Sequence, residues 1–214
     1  MNPYVQFTIA MCFVVFIALF ATAYLAVMFN RRAKTDLQAA LQPLAELIDG
    51  TTDLDEATVS GSYLGHLAFG RVTNGTDGPG RVFQTDVIDS AGGSDWRWTT
   101  TGSKTGEAEP TEILEPEGSD EAASLIPMLR AGAAASFDTR RAWGRVLYEA
   151  SAGHLRFERP MQTRRDIPDL DSFRRQLDLL VQLGPLNRAI QGAPDAEWSG
   201  GRRPEPGTAE GIPS

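Results

Sequence analysis

The chain has 214 residues, 20 Lys and Arg against 28 Asp and Glu, a net charge of −8 and a single cysteine. One cysteine closes no intramolecular disulfide and builds no thiolate zinc site, and the acidic balance argues against nucleic acid as a partner. About 180 residues beyond the first apolar run suit one ordinary domain with flexible pieces.

From Tyr4 to Phe29 the sequence is almost wholly apolar, and Asn30, Arg31, Arg32 and Lys34 follow at once. At about 1.5 Å per residue, twenty-odd residues cross a hydrocarbon core of roughly 30 Å. The sequence therefore predicts a single transmembrane helix bounded by Tyr4 and Phe29 and stopped by Arg31, Arg32 and Lys34. The flank before it carries no basic side chain, so the positive-inside rule predicts a cytoplasmic C-terminal domain. A cleaved signal peptide needs its basic residues before the apolar core, and here they come after it. Cys12 lies mid-run and reads as a buried or lipid-facing thiol rather than a lipid-modified anchor. Ala18, Thr22 and Ala26 recur every fourth residue. Such a stripe lets helices approach closely, and it is the candidate helix–helix contact, with another membrane protein or a second copy; an Ala-rich segment also produces it by chance.

In residues 31–49, Leu37, Leu41, Leu44 and Ile48 share one helix face, with Pro43 expected to kink it. This juxtamembrane helix either pairs with a partner or packs on its own domain; fewer than two heptads favours its own domain. Thr58 to Thr73 alternates with period two and predicts one strand carrying Tyr63, Gly65, Leu67 and Phe69 on one face. The turn residues 74–80, a strand at Arg81–Asp89 and another at Asp95–Thr101 complete an expected antiparallel meander. Residues 102–118 read as an exposed acidic loop. Ser119 is placed to cap a short helix with Leu125, Ile126 and Leu129 on its apolar face, shortened or kinked by Pro127 and stopped at Gly132. Arg145–Ala150 and His154–Arg159 flank a Gly-containing turn and predict a hairpin. Asp169 or Asp171 caps the last helix, with Phe173, Leu177, Leu180 and Val181 as its core face and Gly184-Pro185 expected to break or kink it. From Gly192 the composition predicts a disordered tail.

The expected organisation is a transmembrane anchor over 1–30, a juxtamembrane helix over 31–49, a soluble domain over 50–191 and a tail over 192–214. The fold class is α+β: the anchor, then a small antiparallel-sheet domain with helices packed on one face.

Signatures of chemistry are missing. No phosphate-binding loop, HExxH, Gly-x-Ser-x-Gly or EF-hand pattern occurs. His66 and His154 stand singly in strand patterns without metal-ligand spacing. Trp96 and Trp98 share one strand face; they offer an aromatic platform or, as a small sheet requires, core. The pairs Arg140-Arg141, Arg164-Arg165 and Arg174-Arg175 offer a basic interaction surface or are simply solvated. The expectation is a non-enzymatic, single-pass interaction or scaffold protein without cofactor or metal. It would serve as an accessory subunit of a bacterial membrane complex, its partners the lipid bilayer and another membrane protein. The alternatives are an exported ligand-binding or envelope domain, and a hydrolase or transferase whose site no motif reveals.

Overall fold

The structure, a computed structural model, describes residues 3–74, 80–89, 91–101, 111–116, 120–136 and 144–192. The expected loop over 102–110, the Ser119 cap, Arg140, Arg141 and the tail beyond Gly192 lie outside the described residues.

Helix α1 runs from Pro3 to Leu47 without interruption, through Pro43. Its first part is long and apolar enough to cross a membrane by length and composition, with a window of mean hydropathy 2.5 and none of that window buried in the protein. Its last turns are core: Leu41, Leu44 and Ala45 are buried, as is Ile48 just beyond. The amphipathic stripe of residues 31–49 thus packs on the domain's own sheet, where contacts run to the first two strands and the last helix.

The strands are β1 (Thr51–Asp53), β2 (Thr58–Tyr63), β3 (His66–Asn74), β4 (Arg81–Ile88), β5 (Trp96–Thr101), β6 (Thr111–Glu115), β7 (Gly144–Glu149) and β8 (His154–Met161). They form one eight-stranded sheet in the order β1-β2-β3-β4-β8-β7-β5-β6, every neighbouring pair antiparallel. Helices α2 (Asp120–Ala123), α3 (Ile126–Ser136) and α4 (Leu170–Gln191) complete the domain. Helix α4 packs on β4 and β8, and α3 packs on α4. The α+β class, an apolar N-terminal helix followed by an antiparallel sheet with helices, holds.

Several elements differ from the sequence expectation. The stretch from Thr58 to Thr73 is two strands, not one. Leu64 and Gly65 adopt φ of 48° and 87° and close a two-residue hairpin with Tyr63 opposite His66, the left-handed geometry that matches strand twist. Because residues 63 and 66 share a face, parity flips at the turn. Tyr63 faces the helices, and its hydroxyl donates to Asp178 of α4 at 2.7 Å. Leu67 and Phe69 point to the opposite face, while Ala68 and Gly70 are buried.

The meander also stops at β4. Strand β5 pairs with β7 and β6 instead, and the β7–β8 hairpin inserts between β4 and β5. Thr111–Glu115, expected as loop, is edge strand β6. Pro127 falls in the first turn of α3, where its missing N–H costs nothing, and α3 continues past Gly132 to Ser136.

Helix α4 begins at the Asp169 cap, whose carboxylate accepts from the Ser172 amide at 2.7 Å. It is continuous through Gly184-Pro185. Three side chains of its last turns fasten to the stretch from Asp89 to Trp96, where β5 begins. Asn187 accepts from the Trp96 indole at 2.7 Å, Arg188 pairs with Asp89, and Gln191 bonds both backbone groups of Ser94. Gly184 lies against the Asp89 carboxylate, where a Cβ would come within 3.3 Å. Tertiary contacts therefore outweigh the single backbone bond lost to Pro185.

The strands run along the axis of α1. Lys34 meets Asp55 at 2.7 Å in the β1–β2 turn, and the Ile48 carbonyl accepts from the Ser62 amide at 2.6 Å. Helix α1 is thus tied to the β1–β2 turn at one end of β2 and to Ser62 at the other. One end of the sheet therefore lies by Lys34, near the apolar segment. The Leu64-Gly65 tip lies at the other.

Candidate interaction surface

The helix-covered face of the sheet is apolar. Trp96 and Trp98 belong to it, 3% and 1% exposed, and Trp96 stacks on Tyr148 with ring centroids 6.4 Å apart. This corrects their candidacy as an interaction surface: both rings fill the core and present no platform.

The other face has no helix over it among the described residues and is built from alternate residues of each strand. Its centre is a cross-strand lattice. Arg71 on β3 donates from Nε to Gln84 at 2.8 Å and reaches Asp86 at 3.2 Å. Gln84 Nε2 donates to Glu158 on β8 at 2.6 Å, and Arg145 on β7 meets the other Glu158 oxygen at 3.4 Å. Arg156 Nε donates to Asp86 at 2.7 Å, and its far end reaches Glu149 at 4.0 Å. The register of β4 with β8, Gln84 opposite Glu158 and Asp86 opposite Arg156, brings these groups together.

The carboxylates are roofed by the arginines beside them: the Asp86 side chain is 3% exposed and that of Glu158 is 1%. The arginine stems lie flat over neighbouring side chains while their heads pair. For Arg156, burial works against the charged form, but the Asp86, Glu158 and Glu149 carboxylates together outweigh it and the guanidinium is held more firmly protonated than usual. Among the described residues three arginines balance three carboxylates.

At the Leu64-Gly65 tip the surface changes character. Leu64 is 70% exposed and Leu67 is 56% exposed, and Leu64 holds the left-handed backbone. A leucine there costs roughly 1–2 kcal/mol relative to ordinary backbone, and an Asn-Gly pair would serve such a turn better. Neither residue was a candidate site residue in the sequence, where Leu67 read only as part of a strand face; the available signal was an X-Gly pair interrupting a period-two run.

The remaining sequence candidates are scattered. Ala18, Thr22 and Ala26 are exposed on α1, but the Thr22 hydroxyl is already donated to the Ala18 carbonyl at 2.8 Å, which leaves close packing as the stripe's means of contact. Tyr4, Phe29, Arg31, Arg32 and Lys34 mark the ends of the exposed apolar stretch. Arg164 and Arg165 lie in a 3-10 turn after β8 and are exposed. His66 and His154 each open a strand. Among the described residues no three His, Cys, Asp or Glu side chains gather as a metal site. A groove of about 320 Å³ opens between α3 and α4, lined by Met128, Gly132, Arg175, Asp178, Leu179 and Gln182 among others. Compared with known proteins, the chain matches no family model, no curated protein and no solved structure.

Proposed function

We propose that the chain is a single-pass, membrane-anchored interaction protein whose domain holds a protein partner at a fixed distance from the bilayer. The anchor stays uncleaved, the domain lies on the cytoplasmic side, and the partner is itself membrane-bound or membrane-associated. Leu64 carries this reading: a strained leucine at the distal tip, beside exposed Leu67, stays exposed among the described residues. Strain at an exposed apolar residue is retained where something else uses it. The rigid mount supports the same reading. Because α1 enters the core without a hinge, the tip stands about 30 Å beyond Phe29 along the helix axis.

The test is gentle detergent extraction of the full chain followed by size analysis and identification of co-purifying protein. Leu64→Asn should lose the partner while the isolated protein melts at the same temperature or higher, since Asn accepts left-handed backbone. A wild-type chain that extracts as a lone monomer overturns the proposal. A C-terminal reporter fusion reads the orientation independently, and activity outside the cell reverses it.

A further inference from the structure

Two basic segments that the sequence separates by 131 positions meet where α1 enters the domain. Arg164 Nη1 donates to the Ala33 carbonyl at 2.8 Å. The turn that carries it is closed by Asp166, whose carboxylate accepts from the Gln162 and Thr163 amides at 2.9 and 2.7 Å. Arg31, Arg32, Arg164 and Arg165 are all exposed. None of the four stands in an ion pair among the described residues, whereas neighbouring Lys34 is neutralised by Asp55. Other acids near these segments in the chain are Asp36, Asp53, Glu56, Asp169 and Asp171; Asp53 is occupied by the amides of Asp55 and Glu56, and Asp169 by that of Ser172.

Depth along the helix says what these arginines meet. Ala33 is four residues past Phe29, about 6 Å further along the axis. The polar layer on each side of a roughly 30 Å hydrocarbon core is about 5–8 Å thick. The Arg164 turn is therefore fastened to α1 at headgroup level. A guanidinium suits a phosphate diester there, because its planar fork donates two parallel hydrogen bonds.

We propose that Arg31, Arg32, Arg164 and Arg165 form a collar that binds anionic phospholipid headgroups, a site that rests on reading α1 as a membrane span. The collar seats the domain on the bilayer through residues of the domain itself, in addition to the basic stop that follows the span. It works on either side of the membrane, so it does not depend on orientation.

Intact-complex mass spectrometry of the full chain, released from a neutral micelle and titrated with phosphatidylglycerol or phosphatidylcholine, tests it. Wild type should bind phosphatidylglycerol more tightly than phosphatidylcholine. Arg165→Gln, which keeps the Arg164 bond to Ala33, should weaken phosphatidylglycerol binding about fivefold, and Arg164→Gln/Arg165→Gln about 25-fold, from ~1 kcal/mol per basic residue at an anionic surface. Phosphatidylcholine binding should not change. Equal affinity for the two lipids, or undiminished phosphatidylglycerol binding by the double variant, overturns the collar; in the second case an acidic protein becomes the better occupant of the arginines. Alkaline carbonate extraction of wild-type membranes separates the two premises. Release into the supernatant overturns the span, and retention without lipid preference overturns the collar alone.

Discussion

Asp86 sits on the sheet face that no helix covers, yet it is as buried as a core residue because Arg71 and Arg156 close over it. Removing one partner of such a pair strands the other charge, whereas removing both with apolar replacements is close to neutral. Asp86→Ala should therefore cost about 3 kcal/mol, and Asp86→Leu/Arg156→Met should recover most of that loss. Urea unfolding followed by tryptophan fluorescence checks both; equal losses in the two variants would show that the pairing contributes nothing. On the other face, burial and the hydrogen bond to Asp178 push the Tyr63 phenol from 10.0 up to about 12. The folded state thus keeps this proton at pH values where the unfolded chain has lost it. The Tyr63 contribution is whole below pH 10, declines above it and is gone once pH passes about 12. Tyr63→Phe should flatten that part of the alkaline stability profile, and an unchanged profile would assign the loss to another group. Neither residue's role was legible in the sequence. Asp86 and Arg156 lie 70 positions apart, and only the β4–β8 register shows that they meet.

At the level of elements, the junction between α1 and β2 decides how the apolar helix is joined to the sheet. Gly50 and Gly61 let the end of the helix lie directly on the strand: a Cβ on Gly61 would collide with the Ile48 carbonyl, and one on Gly50 with Ser60. Backbone cannot yield as a flexible side chain does, so Gly61→Ala should destabilise the domain by about 2–3 kcal/mol. Gly65→Ala, at a turn with open space around it, is strained only by its own φ and should cost about 1 kcal/mol. Thermal melts of the two variants in the same detergent test the order, and a Gly65 variant that falls further would refute it. The sequence showed the elements whose signals are local. The first part of α1 is continuous apolar composition, the β7–β8 hairpin has alternation with a glycine turn, and α4 has the Asp169 cap. It hid β6, whose Thr111–Glu115 is too acidic and short to look like a strand, and it merged β2 with β3 because alternation persists on both sides of Leu64-Gly65. It placed a break at Gly184-Pro185 because the clamps from Asn187, Arg188 and Gln191 reach residues more than ninety positions away.

For the whole molecule, the boundary between the apolar segment and the domain does not fall where the helix ends. Residues 11–29 are exposed and mostly apolar, while Leu41, Leu44, Ala45 and Ile48 are as buried as any residue of the sheet. Burying Leu41, Leu44 and Ile48 contributes roughly 2 kcal/mol each, about 6 kcal/mol together, against a typical domain stability of about 5–15 kcal/mol. Loss of those three side chains takes a large share of that margin, whereas none of the described residues before Arg31 belongs to the core. A chain starting at Arg31 should therefore be soluble, monodisperse and cooperatively folded. One starting at Gly50 should expose the apolar faces of β2 and α4 and aggregate or melt near ambient temperature. Gel filtration and circular dichroism of the two truncations distinguish the outcomes. If the Gly50 chain folded as well as the Arg31 chain, α1 would be a tether leaning on the domain, not a structural part of it. The fixed standoff proposed for the Leu64 tip would then lose its mechanical basis, because only a helix embedded in the core can hold that tip rigidly above the bilayer.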